Sequence, residues 1–125
     1  MQPIDASMLD RDRWFGAVPE ERRTVLLAEA RVRAVSSGGL LYGIGDPPNG
    51  LWAVLDGQVR LKGYSANGVE LLVLVLRPGN WFGDLSTLDG GPRPHDAIAF
   101  GETRLLHISL PAFARAATMS IVMPS

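Results

Sequence analysis

Trp81-Phe-Gly-Asp-Leu-Ser-Thr-Leu-Asp-Gly-Gly-Pro-Arg-Pro-His-Asp-Ala-Ile-Ala99 is the stretch on which the fold turns. It reads as the end of a strand, a glycine turn, one short helix over residues 84 to 89, a glycine-proline loop, a single arginine and a new strand. A glycine ahead of a first helical turn leaves several backbone N–H groups aimed at one spot. Those groups and the helix dipole favour an anion. Arg93 follows after a loop that folds it back toward that spot, and a guanidinium grips phosphate with a planar fork. The segment predicts a seat for one phosphate.

Working outward, strand and turn signals alternate from residue 31 to residue 109. Arg31 to Ser36 alternates polar and apolar residues, Ser37-Gly-Gly39 turns, and Leu40 to Ile44 reads as the next strand. Gly45-Asp-Pro-Pro-Asn-Gly50 is a loop by composition. Leu51 to Asp56 and Gln58 to Tyr64 are strands broken at Gly57, a bulge or sharp bend. Asn67-Gly68 is a hairpin signal, and Val69 to Arg77 runs back from it. Leu71 to Leu76, six apolar residues, is expected to be a buried strand. Asp96 to Phe100 and Thr103 to Ser109 are expected to pair as a last hairpin. Helices close both ends. Pro19 to Ala30 has proline in its first turn, acids beside it and an apolar face of Val25, Leu26, Leu27 and Ala30. Leu110 to Met119 has Pro111 in its first turn. Trp14 and Phe15 are expected to cap the core under the first of these helices. The pattern is all-β with flanking helices, a β-roll or jelly roll.

Composition bounds the rest. A chain of 125 residues makes one domain with a real core. With 46 % hydrophobic residues a packed globule is expected, and 14 glycines and 9 prolines suit many short strands. The net charge of −1 lacks the electrostatic footprint of a nucleic-acid-binding domain. The absence of cysteine excludes disulfides and thiol chemistry. The longest apolar run falls far short of the roughly 20 residues that span a bilayer. Met1-Gln-Pro-Ile-Asp-Ala has no basic-then-apolar signal pattern, so a cytoplasmic protein without a membrane partner is expected.

The stretch from 81 to 99 resembles the phosphate-binding cassette of cyclic-nucleotide-binding domains, in the form used by the Crp/Fnr family of bacterial transcription regulators. That family's pattern is roughly Phe-Gly-Glu-Leu-Ala-Leu-Leu, a glycine-rich loop, then Pro-Arg-Ser-Ala-Thr-Val. Phe82, Gly83, Leu85, Leu88, Gly91, Pro92 and Arg93 match in register. Gly45-Asp46, the run from Leu51 to Leu61, Asn67-Gly68 and Pro78-Gly79 also sit where such domains carry glycines and strands. The resemblance covers about residues 13 to 115. It implies a double-stranded β-helix domain over 13–115, with a lead-in at 1–12 and the start of a truncated C-terminal helix or tail at 116–125. The family usually continues into a long dimerisation helix and a helix-turn-helix domain. The chain is expected to be either an effector-domain fragment or a protein that has lost its output domain.

By this resemblance the ligand is a cyclic nucleotide, cyclic AMP or cyclic GMP, and no metal is implied. Its phosphate sits over Gly83, Asp84, Leu85 and Ser86, beside Phe82, and Arg93 pairs with an exocyclic oxygen. Asp84 stands where the family glutamate accepts from the ribose hydroxyl, one methylene shorter. Pro94 replaces a serine and offers neither hydroxyl nor N–H. His95 replaces an alanine and adds bulk at the pocket edge. The implied partners are a small-molecule effector, a second copy in a homodimer, and DNA only through an output domain.

Other readings stand beside this one. Arg93 is also readable as a surface arginine paired to Asp89 or Asp96, and Arg93→Ala is expected to leave folding nearly unchanged while abolishing whatever anion affinity the cassette has. The whole chain is also readable as a ligand-independent structural or dimerisation module with a degenerate pocket. A cupin-type metal enzyme would need converging histidines and a carboxylate. The chain has two histidines, His95 and His107, and His107 reads as structural. No enzymatic set stands out.

Overall fold

Short strands separated by left-handed glycines build two four-stranded antiparallel sheets. The structure, a computed structural model, describes residues 6–83 and 90–122. The strands are β1 (Arg31–Val35), β2 (Leu40–Tyr42), β3 (Leu51–Asp56), β4 (Val59–Tyr64), β5 (Glu70–Leu76), β6 (Trp81–Phe82), β7 (Asp96–Ala99) and β8 (Thr103–Ile108). The helices are α1 (Ala6–Leu9), α2 (Glu20–Ala28) and α3 (Leu110–Val122), with a 3-10 turn at Phe15–Ala17. One sheet runs β1-β8-β3-β6 and the other β2-β7-β4-β5. This is the expected β-roll with flanking helices.

The first sheet lies between two apolar layers. Leu51, Ala53 and Leu55 of β3, with Leu106 and Ile108 of β8, face Phe15, Leu26 and Ala112 on the helical side. Trp52, Val54 and Leu105 face the second sheet, meeting Val59, Leu61 and Ala97 there. Burial on both faces explains why Leu51 to Leu55 is continuously apolar rather than alternating.

Two expectations change. Asp96–Ala99 and Thr103–Ile108 are not a hairpin: β7 belongs to one sheet and β8 to the other. The turn at Gly101 carries the chain across the sandwich. β3 to β4 and β1 to β2 cross in the same way, whereas β4 and β5 form the true hairpin around Gly68. The strand read as buried is an exposed edge. Leu71, Leu72, Val73 and Leu74 are each about half exposed, and among the described residues β5 pairs with β4 alone, at the edge of its sheet. The lead-in is also fastened down. Leu9 is fully buried in the helical-side core.

Asp12 connects that lead-in to the strand that opens the cassette. One carboxylate oxygen accepts from the backbone N–H groups of Trp14 and Phe15, and the other accepts from the N–H of Trp81 at 3.0 Å. The rings follow: Phe15 stacks on Trp81 with centroids 4.3 Å apart, a contact contributing about 0.5–1.5 kcal/mol beyond burial. Trp14 and Phe15 thus cap the core as expected, and β6 leaves this aromatic cluster in a fixed direction.

Candidate ligand-binding site

Gly83 follows β6 at φ +82°, a left-handed conformation that L side chains rarely adopt. A Cβ at Gly83 would stand 3.0 Å from both an Arg93 nitrogen and the carbonyl oxygen of Gly50. The glycine therefore serves the turn and also leaves room for the guanidinium. Asp84, Leu85 and Ser86, with the short helix expected over 84–89, lie outside the described residues.

Arg93 is 1 % exposed. Its backbone N–H donates to Asp46 O and its carbonyl accepts from Gly45 N–H, both at 2.8 Å. The side chain turns inward. Nη1 donates to Gly83 O at 2.8 Å, and Nη2 donates to Gly50 O at 2.8 Å and to Asn49 Oδ1 at 2.5 Å. The Tyr42 ring lies beneath, 4.1 Å from the guanidinium carbon, a cation–π geometry. The surface reading of Arg93 is thereby corrected. Asp96 is engaged elsewhere, accepting from Ile44 N–H and the Tyr64 hydroxyl, and Asp89 lies outside the described residues.

Beside Arg93 opens a cavity of about 210 Å³. Leu61 of β4 and Leu74 and Leu76 of β5 form one wall, and Tyr42, Trp81 and Phe82 form another. Gly83, Arg93, Pro94 and His95 line it as well. Five of the eight expected site residues are thus gathered at one cavity: Phe82, Gly83, Arg93, Pro94 and His95. Phe82 is buried, His95 half-buried and Pro94 exposed. Such a wall suits an anion carrying an apolar body: among the described residues it combines the Arg93 guanidinium and the His95 imidazole with mainly aliphatic and aromatic side chains.

Sequence reasoning missed Asn49, Gly50 and Tyr42. Pro47 to Gly50 carried only turn signals, and contacts spanning more than 40 residues leave no local mark. Gly50 has φ +105°, and a Cβ there would come within 2.0 Å of Ile108 O. This packs the carbonyl that holds Arg93 against the chain leading into α3.

His107 projects from β8 toward the same network. Its ring stacks on Trp52 at 3.9 Å, and Nε2 lies 2.7 Å from Asn49 O. A carbonyl only accepts, so Nε2 carries the proton. Burial lowers the His107 pKa below the ordinary histidine value. The bond to Asn49 opposes that shift, and the charges of Arg33 and Arg93 add to it. Among the described residues no three His, Asp or Glu side chains converge to hold a metal ion. No helix among them is long and apolar enough to cross a membrane.

The family model described as "Cyclic nucleotide-binding domain" matches residues 32–119. The "Cyclic AMP receptor protein" of Thermus thermophilus is 36 % identical over 93 residues, covering 74 % of this chain and 43 % of that protein. The "CRP-like cAMP-activated global transcriptional regulator" of Mycobacterium tuberculosis is 29 % identical over 75 residues, covering 60 % and 34 %. The chain thus spans less than half the length of these curated relatives. The crystal structure of the N-terminal domain of a transcriptional regulator from Streptomyces coelicolor A3(2) superposes with a TM-score of 0.78 at 29 % identity, covering 90 % of this chain and 78 % of that one. Matched by that family model over most of its length and folded like the N-terminal domain of the Streptomyces regulator, the chain belongs to the cyclic nucleotide-binding domain family in its Crp/Fnr form.

Proposed function

We propose that this chain is a ligand-sensing domain that binds a cyclic nucleotide or a related small anion and couples its occupancy to α3. The observation that carries this reading is the buried Arg93 guanidinium beside a cavity whose remaining wall is largely apolar. Arg93 takes the phosphate, Gly83 lets the phosphate approach the backbone, and Phe82 and the leucines of β4 and β5 shelter the rest of the ligand. Asp84, Leu85 and Ser86 complete the seat by family register. Coupling requires the ligand to favour one arrangement of α3 over another. The physical route is short: Gly50 O holds Arg93, and the Gly50 backbone lies against Ile108 and Ser109, immediately before α3. In a longer regulator, α3 would pass the signal to a partner copy and a DNA-binding output domain.

One observation favours a second reading, a structural module with a worn pocket. The Arg93 nitrogens already donate to three protein acceptors, and the cavity is below the roughly 300 Å³ where small-molecule sites begin. Pro94 also lacks a donor. Calorimetric titration with cyclic AMP and cyclic GMP, with 5′-AMP as control, separates the two. Saturable binding of a cyclic nucleotide supports the sensor, and heats indistinguishable from buffer for both support the module.

A further inference from the structure

Arg93 and His95 line the same cavity, while Pro94 between them is exposed. The alternation puts both nitrogen-bearing side chains on one wall. The His95 ring occupies room that a glycine leaves open. Gly63 of β4 has none of the left-handed geometry of the turn glycines, and a glycine inside a strand often marks the close approach of another group. A Cβ at Gly63 would lie 3.8 Å from His95 Cδ2 and 3.6 Å from Val73 Cγ2. The imidazole thus rests beside the bare Gly63 backbone, on the face of β4 that carries Leu61 into the cavity wall. Among the described residues no hydrogen bond or ion pair engages it. The charges nearby are occupied elsewhere. Lys62 pairs with Glu70 at 2.5 Å, and Asp96 accepts from Ile44 N–H and the Tyr64 hydroxyl. His107 is bonded to Asn49 O and stacked on Trp52. Among the described residues of the cavity wall the remaining titratable group is Tyr42, whose ring lies under the Arg93 guanidinium.

We propose that His95 is a second anion-binding residue of this cavity, its imidazolium joining the Arg93 guanidinium on the charged group of the ligand, so that the ligand is held more tightly as pH falls. A cavity of about 210 Å³ leaves an anion at Arg93 little distance from His95. Pro94, between them, brings neither a hydroxyl nor an N–H, so the imidazole is the next side-chain donor along the chain. A neutral imidazole has one N–H to give, and a protonated one has two together with a positive charge. Histidine is the side chain that ordinarily changes charge between about pH 5 and pH 8. An anion favours the charged form of a neighbouring imidazole, and by reciprocity the charged form favours the anion. Binding therefore takes up a proton. The bulk of His95, which by itself would only narrow the cavity, becomes a contact.

This inference rests on the ligand reading above for what the two cations meet. Its test is calorimetric titration of the full chain with cyclic AMP from about pH 8 to about pH 5.5. The parent, His95→Gln and His95→Ala are compared, with melting curves showing that each is folded at each pH. Cyclic AMP suits the purpose because its phosphodiester keeps one charge across this range, whereas a phosphate monoester titrates within it. The parent is expected to bind about tenfold more tightly at the acid end, as the gain of one charge-assisted bond would produce. His95→Gln is expected to change by less than about twofold over the same range, and His95→Ala to bind more weakly than the parent at the acid end. His107 and the carboxylates are present in all three proteins, so their titration cancels in the comparison. Equal pH dependence of the parent and His95→Gln overturns the proposal. So does a His95→Ala variant that binds as tightly as the parent or more tightly at the acid end, which makes His95 an obstruction. Should His95→Ala not fold, His95→Gln carries the test alone. A parent that binds no cyclic AMP sinks the ligand reading instead. His95 is then judged with sulfate, whose charge is constant, by NMR of the imidazole rings. The chain has two histidines, so the His95 signals are those missing from His95→Gln. Sulfate is expected to move the His95 titration in the parent to higher pH, and an unmoved titration rejects the proposal.

Discussion

Arg93 is a buried cation held by Gly83 O, Gly50 O and Asn49 Oδ1, so it serves the fold as well as any ligand. Removing it leaves three acceptors facing a hole. Arg93→Ala is expected to lower stability by about 2–3 kcal/mol even without ligand. Urea unfolding measures this, and a loss under about 0.5 kcal/mol would return Arg93 to the status of a surface residue. His107 makes the matching case for a proton. Burial first, with the Arg33 and Arg93 charges adding, lowers its pKa when folded, so the unfolded chain binds a proton that the folded one resists. Its contribution to stability is complete above the unfolded value, about 6.5, and is lost as pH falls through the lower folded value. His107→Gln keeps a donor toward Asn49 O and removes the titration. Between pH 8 and pH 5 the parent should lose more stability than this variant, and parallel melting profiles would refute the linkage.

At the scale of elements, β5 is where the chain departs most from what its residues suggest. Leu71, Leu72, Val73 and Leu74 form an apolar edge with backbone groups available on one side. Such an edge invites pairing between chains. Leu71 lies opposite Gly63, so a charge there meets no facing side chain. Leu71→Lys is expected to change unfolding free energy by no more than about 0.5 kcal/mol while reducing association at high concentration. Light scattering checks the second part, and unchanged scattering would show that this edge is not the sticky surface. The same strand shows what was legible. Gly57, Gly68 and Pro78-Gly79 marked strand ends correctly, because a backbone at positive φ or before proline announces itself locally. Which sheet a strand joins is decided by partners far along the chain. An apolar run therefore reads the same whether it ends buried, like β3, or at an edge, like β5. The site divides in the same way. Arg93, Gly83 and His95 sat within one readable segment, whereas Asn49 and Tyr42 came to it from more than 40 residues away.

Across the whole molecule, cavity and α3 lie on opposite sides of the β1-β8-β3-β6 sheet, and the loop before β3 reaches between them. Gly50 O is bonded to Arg93 on the cavity side. The Gly50 backbone lies so close to Ile108 and Ser109 that no side chain fits between them. α3 begins one residue later and docks through Ala112 and Ala116 in the helical-side core, with Arg115 pairing to Glu29 of α2. Among the described residues this dock consists of Ala112, Ala116, the partly buried Phe113 and one ion pair, a local contact of the kind that opens while the sheets remain folded. A ligand that draws on the Arg93 fork acts on Gly50, and Gly50 cannot shift without moving the start of α3. Saturating cyclic AMP is therefore expected to change hydrogen exchange in residues 110–122 severalfold while β3 and β8 remain protected throughout. The decisive comparison is made on chain already shown by calorimetry to be saturated. If exchange in α3 is then identical with and without ligand, occupancy of the cavity is not transmitted through Gly50, and the domain binds without signalling along this route.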